Sequence, residues 1–289
     1  MPRVALVTYD PRPEPSKDTD LPLLVEALRA AGAEAEAVCW DADVDWSGYD
    51  LAVIRSTWDY SWRAAEFTAW AERCGKATRL ANPPQVVRWN TDKRYLGELD
   101  RAGVPVVPTG YLAPGDPLAL PTDHEYVVKP TSGAGARYAA RYTPERHEDA
   151  VRHLERMHAE GLTAMVQPYM RGIDAGGERA LQFFGGRLLH ASRKRAVLSP
   201  GTAFDADKVA HPGLEPWTPT PAEVAVAERA LAAVPEAPEL LYARVDLVDG
   251  EDGQPRVMEL ELVEPNLFLF LHPGSLPRVV EAVLAAARR

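Results

Sequence analysis

The stretch that most constrains the fold is Leu241 to Asn266, LYARVDLVDGEDGQPRVMELELVEPN, where two alternating runs flank Asp249-Gly250-Glu251-Asp252-Gly253-Gln254. Period-two alternation around a segment made of turn formers predicts two antiparallel strands. On the first, Ala243, Val245 and Leu247 point one way, so Tyr242, Arg244 and Asp246 point the other. On the second, Met258, Leu260 and Leu262 share a face and leave Glu259 and Glu261 opposite. The register expected for this hairpin sets Asp246 one diagonal pair from the glutamates, about 7 Å or less between side-chain bases.

Carboxylates so placed need a partner. Two of them about 4 Å apart repel by roughly 4 kcal/mol at an effective dielectric of about 20, so protons, an arginine or a metal must join them. Hard oxygen ligands suit Mg2+, which takes one or two protein carboxylates and completes its shell with water and nucleotide phosphates, so ATP is the natural third party. The alternative is a solvated acidic strand face.

The balance of charge bounds the function. A net charge of −10, from 42 acidic against 32 basic residues, argues against a protein that grips duplex phosphate backbone. With 289 residues, 46% of them hydrophobic, the chain can hold two or three packed units. Cys39 and Cys74 stand without a CxxC or Cys/His grouping, which points away from a disulfide framework and from zinc. The N-terminus runs directly into Arg3-Val4-Ala5-Leu6-Val7-Thr8, and no apolar run reaches the length of about 18 residues that spans a membrane. A cytoplasmic protein with neither nucleic acid nor membrane as partner is expected.

Taken in order, Val4 to Thr8, Glu36 to Cys39 and Leu51 to Ile54 read as buried strands, with helices from Leu21 to Gly32 and near Ala64 to Cys74. This is a small open α/β unit ending near Asn82-Pro83-Pro84. Beyond the third strand comes Arg55-Ser56-Thr57-Trp58-Asp59-Tyr60, at the strand end where open sheets bind ligands. Arg55 could hold a substrate carboxylate in a bidentate grip; equally, Ser56, Thr57 or Asp59 could cap the next helix.

A helix is then expected from Arg88-Trp89-Asn90-Thr91-Asp92-Lys93 to Ala102, capped by Asn90 or Thr91 and stopped at Gly103. After an extended, Pro-rich connection, Tyr126 to Pro130 forms a strand carrying Lys129, followed by Thr131-Ser132-Gly133-Ala134-Gly135-Ala136-Arg137. Small residues let backbone amides wrap an anion, although the loop lacks the GK[ST] of a Walker motif and a plain hairpin turn fits it too. A helix from Pro144 to Ala159 leads to a strand from Ala164 to Met170. A hairpin turning at Gly185-Gly186 follows and ends in Arg193-Lys194-Arg195. These cations read either as the solvated guard of a sheet edge or as functional groups, with Arg193 and Arg195 on one face and Lys194 on the other. Residues 196–216 lack periodicity and read as a mobile loop; Ala222 to Val234 and Pro277 to Ala287 read as helices.

The order of these elements resembles the ATP-grasp superfamily across essentially the whole chain. It runs from a lysine opening a helix, through a strand lysine before a small-residue loop and an apolar strand with Gln167, to the carboxylate hairpin. More narrowly, RSTWDY, LLYARVDLV and MELELVEP are similar to the ligases that close O-ureido-serine into a cycloserine ring. The resemblance implies an α/β (α+β) ATP-grasp fold in three parts: a pre-ATP-grasp domain over 1–88, a central lid domain over 89–170 and a catalytic domain over 171–289. It implies that Lys93 and Lys129 contact ATP, that Ser132, Gly133, Ala134 and Gly135 cover its phosphates, and that Gln167, Tyr169 and Met170 line the adenine edge. It also implies Mg2+ on Asp246, Glu259 and Glu261, with Arg244 beside them. One departure stands out: the family often has asparagine where this chain has Glu261, which leaves Glu261 or Glu264 as outer ligand and Asn266 as the displaced amide. Relatives often have an acidic residue at the position of Glu178.

The chemistry so implied is an ADP-forming carbon–nitrogen ligation, with antibiotic biosynthesis as its setting. A substrate carboxylate attacks the γ phosphate, and a nitrogen then displaces phosphate from the acylphosphate. Arg193, Arg195 and Arg244 are the candidates to stabilise the developing charge. Arg55, Ser56, Thr57 and Asp59 are the candidate contacts to a small amino-acid-like substrate, and a homodimer is allowed. Two other functions fit the same residues: a nucleotide-binding sensor without catalysis, and a ligase joining two separate amino acids or peptides.

Overall fold

The computed structural model describes residues 1–10, 18–133, 135–199, 201, 213–236 and 238–289. Strand β1 (Arg3–Thr8), helix α1 (Asp20–Ala30), strands β2 (Glu34–Cys39) and β3 (Leu51–Ser56), helix α2 (Ala64–Ala77) and strand β4 (Leu80–Ala81) form the first unit. Its parallel sheet has the order β2-β1-β3-β4. Apolar residues fill both faces, as a sheet covered on both sides requires. Val4 and Leu6 pack with Leu21, Leu24 and Leu28 of α1, while Ala5 and Val7 pack with Phe67 and Trp70 of α2.

The single helix expected from Arg88 to Ala102 is two short ones, α3 (Pro84–Asn90) and α4 (Tyr95–Arg101). The cause is local. The Asp92 carboxylate accepts from the Arg94 amide at 2.9 Å, an Asx turn that competes with the helix, and the Lys93 amide donates to Thr131 O at 2.7 Å. Both helices pack on the large sheet of the C-terminal part through Val86, Tyr95, Leu96 and Leu99.

The second sheet, ordered β5-β8-β6-β7, comprises β5 (Gly110–Leu112), β6 (Tyr126–Pro130), β7 (Ala140–Tyr142) and β8 (Ala164–Pro168), with α5 (His147–Ala159) against it. Tyr126, Val128, Ala164 and Val166 face α5. Lys129 opposite Met165 and Val127 opposite Gln167 take the other face, by the alternation of a pleated strand.

After α6 (Gly172–Gly176), strands β9 (Glu178–Phe184), β10 (Arg187–Lys194) and β11 (Leu214–Trp217), helix α7 (Pro221–Ala232), and strands β12 (Tyr242–Asp249) and β13 (Pro255–Glu261) build the third sheet. Its order is β11-β10-β9-β12-β13. Leu181, Phe183, Ala243, Val245 and Leu260 bury one face against Val226, Ala227 and Ala230 of α7. Helix α8 (Leu276–Ala287) closes the chain against α1. The structure departs from the sequence expectation at two points. Leu214–Trp217, expected within a loop, is a strand paired with β10, while 200 and 202–212 lie outside the described residues. The hairpin register sets Asp246 directly opposite Glu259 and Arg244 directly opposite Glu261, not on a diagonal. A bulge after Asp246 accounts for the difference, since an extra residue shifts everything beyond it. Among the described residues no helix is long and apolar enough to cross a membrane.

Two histidines, one buried and one half-buried, make the fold acid-sensitive. His153, fully buried between Tyr138 and Tyr142, and His190, stacked on His272 at 4.1 Å, are each pushed down to about 4. Burial is the cause at His153, and burial followed by the neighbouring His272 at His190. The unfolded chain, with ordinary histidines, binds protons first as pH falls below about 6.5. Stability is therefore fully present above that pH and drops by about 1.4 kcal/mol per pH unit per histidine down to about pH 4. Urea midpoints at pH 7, 6 and 5 should show this slope, and His153→Phe should remove about one proton from the uptake on unfolding.

Candidate active site

The polar face of the third sheet carries residues in rows, because partners in adjacent strands point the same way. One row is His190, Gln182, Arg244 and Glu261; the next is Ser192, Ala180, Asp246 and Glu259; then comes Lys194 opposite Glu178. Two cations, Arg244 and Lys194, stand among four carboxylates, and Asp246 and Glu259 face each other directly. Arg244 donates to Asp246 through Nε at 2.8 Å and Nη2 at 2.9 Å, and also pairs with Glu261. Lys194 Nζ donates to Asp246 Oδ2 at 2.6 Å and pairs with Glu178.

Glu259 belongs to a second group. Lys93 Nζ lies 3.2 Å from its carboxylate and Lys129 Nζ 3.9 Å, so cations from the α3–α4 break and from β6 meet the hairpin at one oxygen pair. Lys93 Nζ also donates to Gly133 O at 2.6 Å, tying the small-residue loop to the same spot. The loop is held in an unusual backbone, with φ of +66° at Gly135 and +61° at Ala136. The Ser132 hydroxyl is buried without a hydrogen-bond partner among the described residues. Ala134 lies outside the described residues.

Burial and charge set the titration of these groups. Burial opposes ionisation of Asp246, yet Arg244 and then Lys194 outweigh it and hold the carboxyl well below the usual range. Burial pushes Glu261 up to about 8, with Arg244 offsetting only part of it, and pushes Glu178 up to about 7 against Lys194. Glu264, accepting from the Tyr60 hydroxyl, is likewise raised by burial to about 7, against the pull of Lys93. Glu259 sits below its ordinary value because Lys93 and Lys129 overcome its burial.

Gln167 shares the Lys129 face and donates to Thr109 Oγ1 at 2.9 Å. Tyr169 lies under the Arg141 guanidinium at 3.3 Å and donates to Asp174 at 2.5 Å. Met170 packs with Val107, Val248, Ile173 and Met258 in an apolar patch beside the hairpin. Arg55 is 1% exposed and donates to Pro265 O at 3.1 Å. Ser56 donates to Thr8 Oγ1 at 2.9 Å, Thr57 is buried with its hydroxyl unpaired among the described residues, and Asp59 accepts from Trp40 Nε1 at 3.0 Å. Neither Ser56 nor Thr57 caps the turn at Trp58–Trp62 through its side chain.

Arg193 lies on the face of β10 opposite to Lys194, away from the Asp246 carboxylate. Arg193 donates to Glu215 of β11 at 2.6 Å and lies over Trp217 at 5.3 Å, and Arg195 is exposed. Lys194 is the member of the triplet that reaches Asp246. A regular hairpin from the Phe184–Arg187 pair would set Lys194 opposite Gly177; a shift between Leu188 and His190 sets it opposite Glu178 instead. The signal that could have found Lys194 was the alternation itself, once the face of Glu178 was fixed.

Among the described residues no three His, Cys, Asp or Glu side chains converge on one point as metal ligands. Asp246 is 1% exposed and its oxygens are engaged by Arg244 and Lys194, whereas Glu259 and Glu261 keep 24% and 22% of their side chains open. Glu259 and Glu261, each paired with a cation but partly exposed on one strand face, fit the one or two protein ligands that Mg2+ usually takes.

With this geometry in place, likeness to known proteins becomes informative. Residues 4–82 match the family model described as the N-terminal domain of D-cycloserine synthetase DcsG. The chain is 43% identical over 286 residues to the cycloserine biosynthesis protein DcsG of Streptomyces lavendulae, covering 90% of this chain and 91% of that protein. The crystal structure of D-cycloserine synthetase DcsG is similar with a TM-score of 0.88 at 39% identity, covering 99% of both chains. A D-alanine–D-alanine ligase from Bacillus anthracis, complexed with ATP, is similar with a TM-score of 0.69 at 17% identity over 100% of this chain and 98% of that one, a likeness of fold.

Proposed function

Because the chain belongs to the D-cycloserine synthetase family and is an ATP-dependent ligase of ATP-grasp fold, we propose that it closes an O-ureido-serine-like amino acid into a cycloserine-type ring. The observation that carries the site assignment is the meeting of Lys93 and Lys129 at Glu259. Two cations from separate elements flank a carboxylate that Mg2+ would share with a nucleotide. That charge pattern suits a triphosphate between the central sheet and the large one.

In this reading Lys93 and Lys129 take the phosphates, and the loop at Ser132, Gly133 and Gly135 lies over them. Gln167 and Tyr169 border the adenine, with Met170 and Met258 as its apolar floor. Glu259 and Glu261 would hold Mg2+, with Asp246 behind them, and the ion when bound would neutralise charge on the transferred phosphoryl group. The substrate carboxylate attacks the γ phosphorus, ADP leaves, and a nitrogen of the same molecule attacks the acyl carbon and expels phosphate. Arg244, and Lys194 at its side, are the buried cations nearest this path. Both are held protonated, since the surrounding carboxylates outweigh their burial. Arg193 and Arg195 would act from the outer side of β10, toward residues that follow it. The cytoplasm, which supplies ATP and Mg2+, is the compartment this chemistry suits.

ADP release tests the assignment. With ATP and Mg2+, O-ureido-serine should drive release at least tenfold above the rate with D-alanine, free serine or dipeptides. Equal rates with dipeptides would instead mark a ligase of two separate molecules, and tight ATP binding without release would mark a sensor.

A further inference from the structure

The segment after β13 is neither helix nor strand, yet each carbonyl from Leu262 to Leu267 is held by a side chain. Asn82 Nδ2 donates to Leu262 O at 2.8 Å, the Tyr242 hydroxyl to Val263 O at 2.8 Å, and Trp58 Nε1 to Glu264 O at 3.3 Å. Arg55 Nη2 donates to Pro265 O at 3.1 Å, Gln182 Nε2 to Asn266 O at 2.6 Å, and His190 Nε2 to Leu267 O at 2.8 Å. Six consecutive acceptors satisfied by six separate side chains is a built arrangement, because buried carbonyls outside regular structure need dedicated donors.

The segment is fixed against the reacting face. Arg244 Nη1 approaches Asn266 O at 3.4 Å, Glu264 feels Lys93 and Glu259, and Phe268 is held at φ +56°, a conformation that costs energy and persists only where its surroundings impose it. The amides of Asn266, Leu267 and Phe268 donate to none of the described residues, whereas the next amide, of Leu269, donates to Asp20 at 3.0 Å.

Three of the six donors, Arg55, Trp58 and Asn82, come from the first α/β unit, and the family model over residues 4–82 spans all three. We propose that Arg55, Trp58 and Asn82 are positioning residues, which fix the 262–267 segment beside the carboxylate row rather than touching the substrate. This rests on the ring-closing reading above. The placement of Arg55 favours it. The guanidinium is sealed from solvent, with Nη2 on Pro265 O, Asp18 at 3.7 Å, and Nε and Nη1 without hydrogen-bond partners among the described residues, so Pro265 O is the acceptor that fixes it. The first unit then acts on the reaction through backbone geometry in the last one.

The test uses the full chain and two readouts. Arg55→Met should lower kcat about 100-fold, the cost of a misplacement of about 1 Å, with the KM for O-ureido-serine changed less than about twofold. Arg55→Lys, which keeps a donor for Pro265 O, should recover part of the loss, and Trp58→Phe, which deletes only the Nε1 donor, should show a smaller fall in kcat. Hydrogen exchange of a peptide over 262–270, without substrate, should quicken in Arg55→Lys and Trp58→Phe while the strand at 255–261 keeps its protection. A raised KM with kcat retained would mean that Arg55 touches the substrate and would overturn the proposal. Unchanged exchange at 262–270 in both variants would overturn it as well. If the wild-type chain turns over no O-ureido-serine, the ring-closing reading fails, and the exchange comparison alone still decides whether the clamp exists.

Discussion

Glu259→Gln is expected to lower the rate of ADP formation by about 10² to 10³-fold, the usual cost of removing one preorganised electrostatic group. The carboxylate balances Lys93 and Lys129, and the amide has the same shape but no charge. Two lysines would then face each other without their shared counter-ion, and the group proposed to hold Mg2+ would be gone. Folding should suffer less, by about 1 to 2 kcal/mol, because a quarter-open carboxylate is partly solvated and its ion pairs are worth less than buried ones. ADP release at saturating ATP and Mg2+, run beside a urea titration, separates the effects. Full activity in the variant would remove Glu259 from the reaction.

The largest stability loss is expected at Asp246, where Asp246→Asn should cost about 3 to 5 kcal/mol, as removal of one partner from a buried ion pair does. Asp246 is 1% exposed and accepts from both Arg244 and Lys194. Its loss leaves two cations with only Glu178 and Glu261 to balance them. Adding Lys194→Met to the asparagine variant should restore about 1 kcal/mol or more, since the two sites share one network and are not additive. A loss below about 1 kcal/mol on urea titration would mean that the aspartate is not ionised in the folded chain.

Much of this was legible in the residues themselves. The alternation of Tyr242 to Leu247 and of Val257 to Leu262 predicted the hairpin, and the first α/β unit follows from buried runs such as Val4 to Val7. The charged face of the hairpin was visible for the same reason, since a period of two sorts charges from core residues. What escaped depends on single-residue events. A bulge after Asp246 set the cross-strand pairing, and a shift at Leu188–His190 brought Lys194 opposite Glu178. Neither leaves a composition signal. The break between α3 and α4 was hidden because Asn90 to Lys93 also reads as a cap, and only the distant Thr131 carbonyl pulls the Lys93 amide away. The hydrogen-bond partner of Arg55, Pro265 O, lies 210 residues on, so no local pattern points to that contact.

In the proposed mechanism Lys93, Lys129 and Glu259 hold the phosphates of a nucleotide spent in closing a ring. The most direct measurement follows ADP and product together by mass spectrometry in the wild-type chain and in Glu259→Gln, with O-ureido-serine as sole amino acid. One ADP per cyclic product in the wild type, and loss of both together in the variant, is the predicted result. ADP formed without cyclic product, or a variant that still makes both at the wild-type rate, would contradict it.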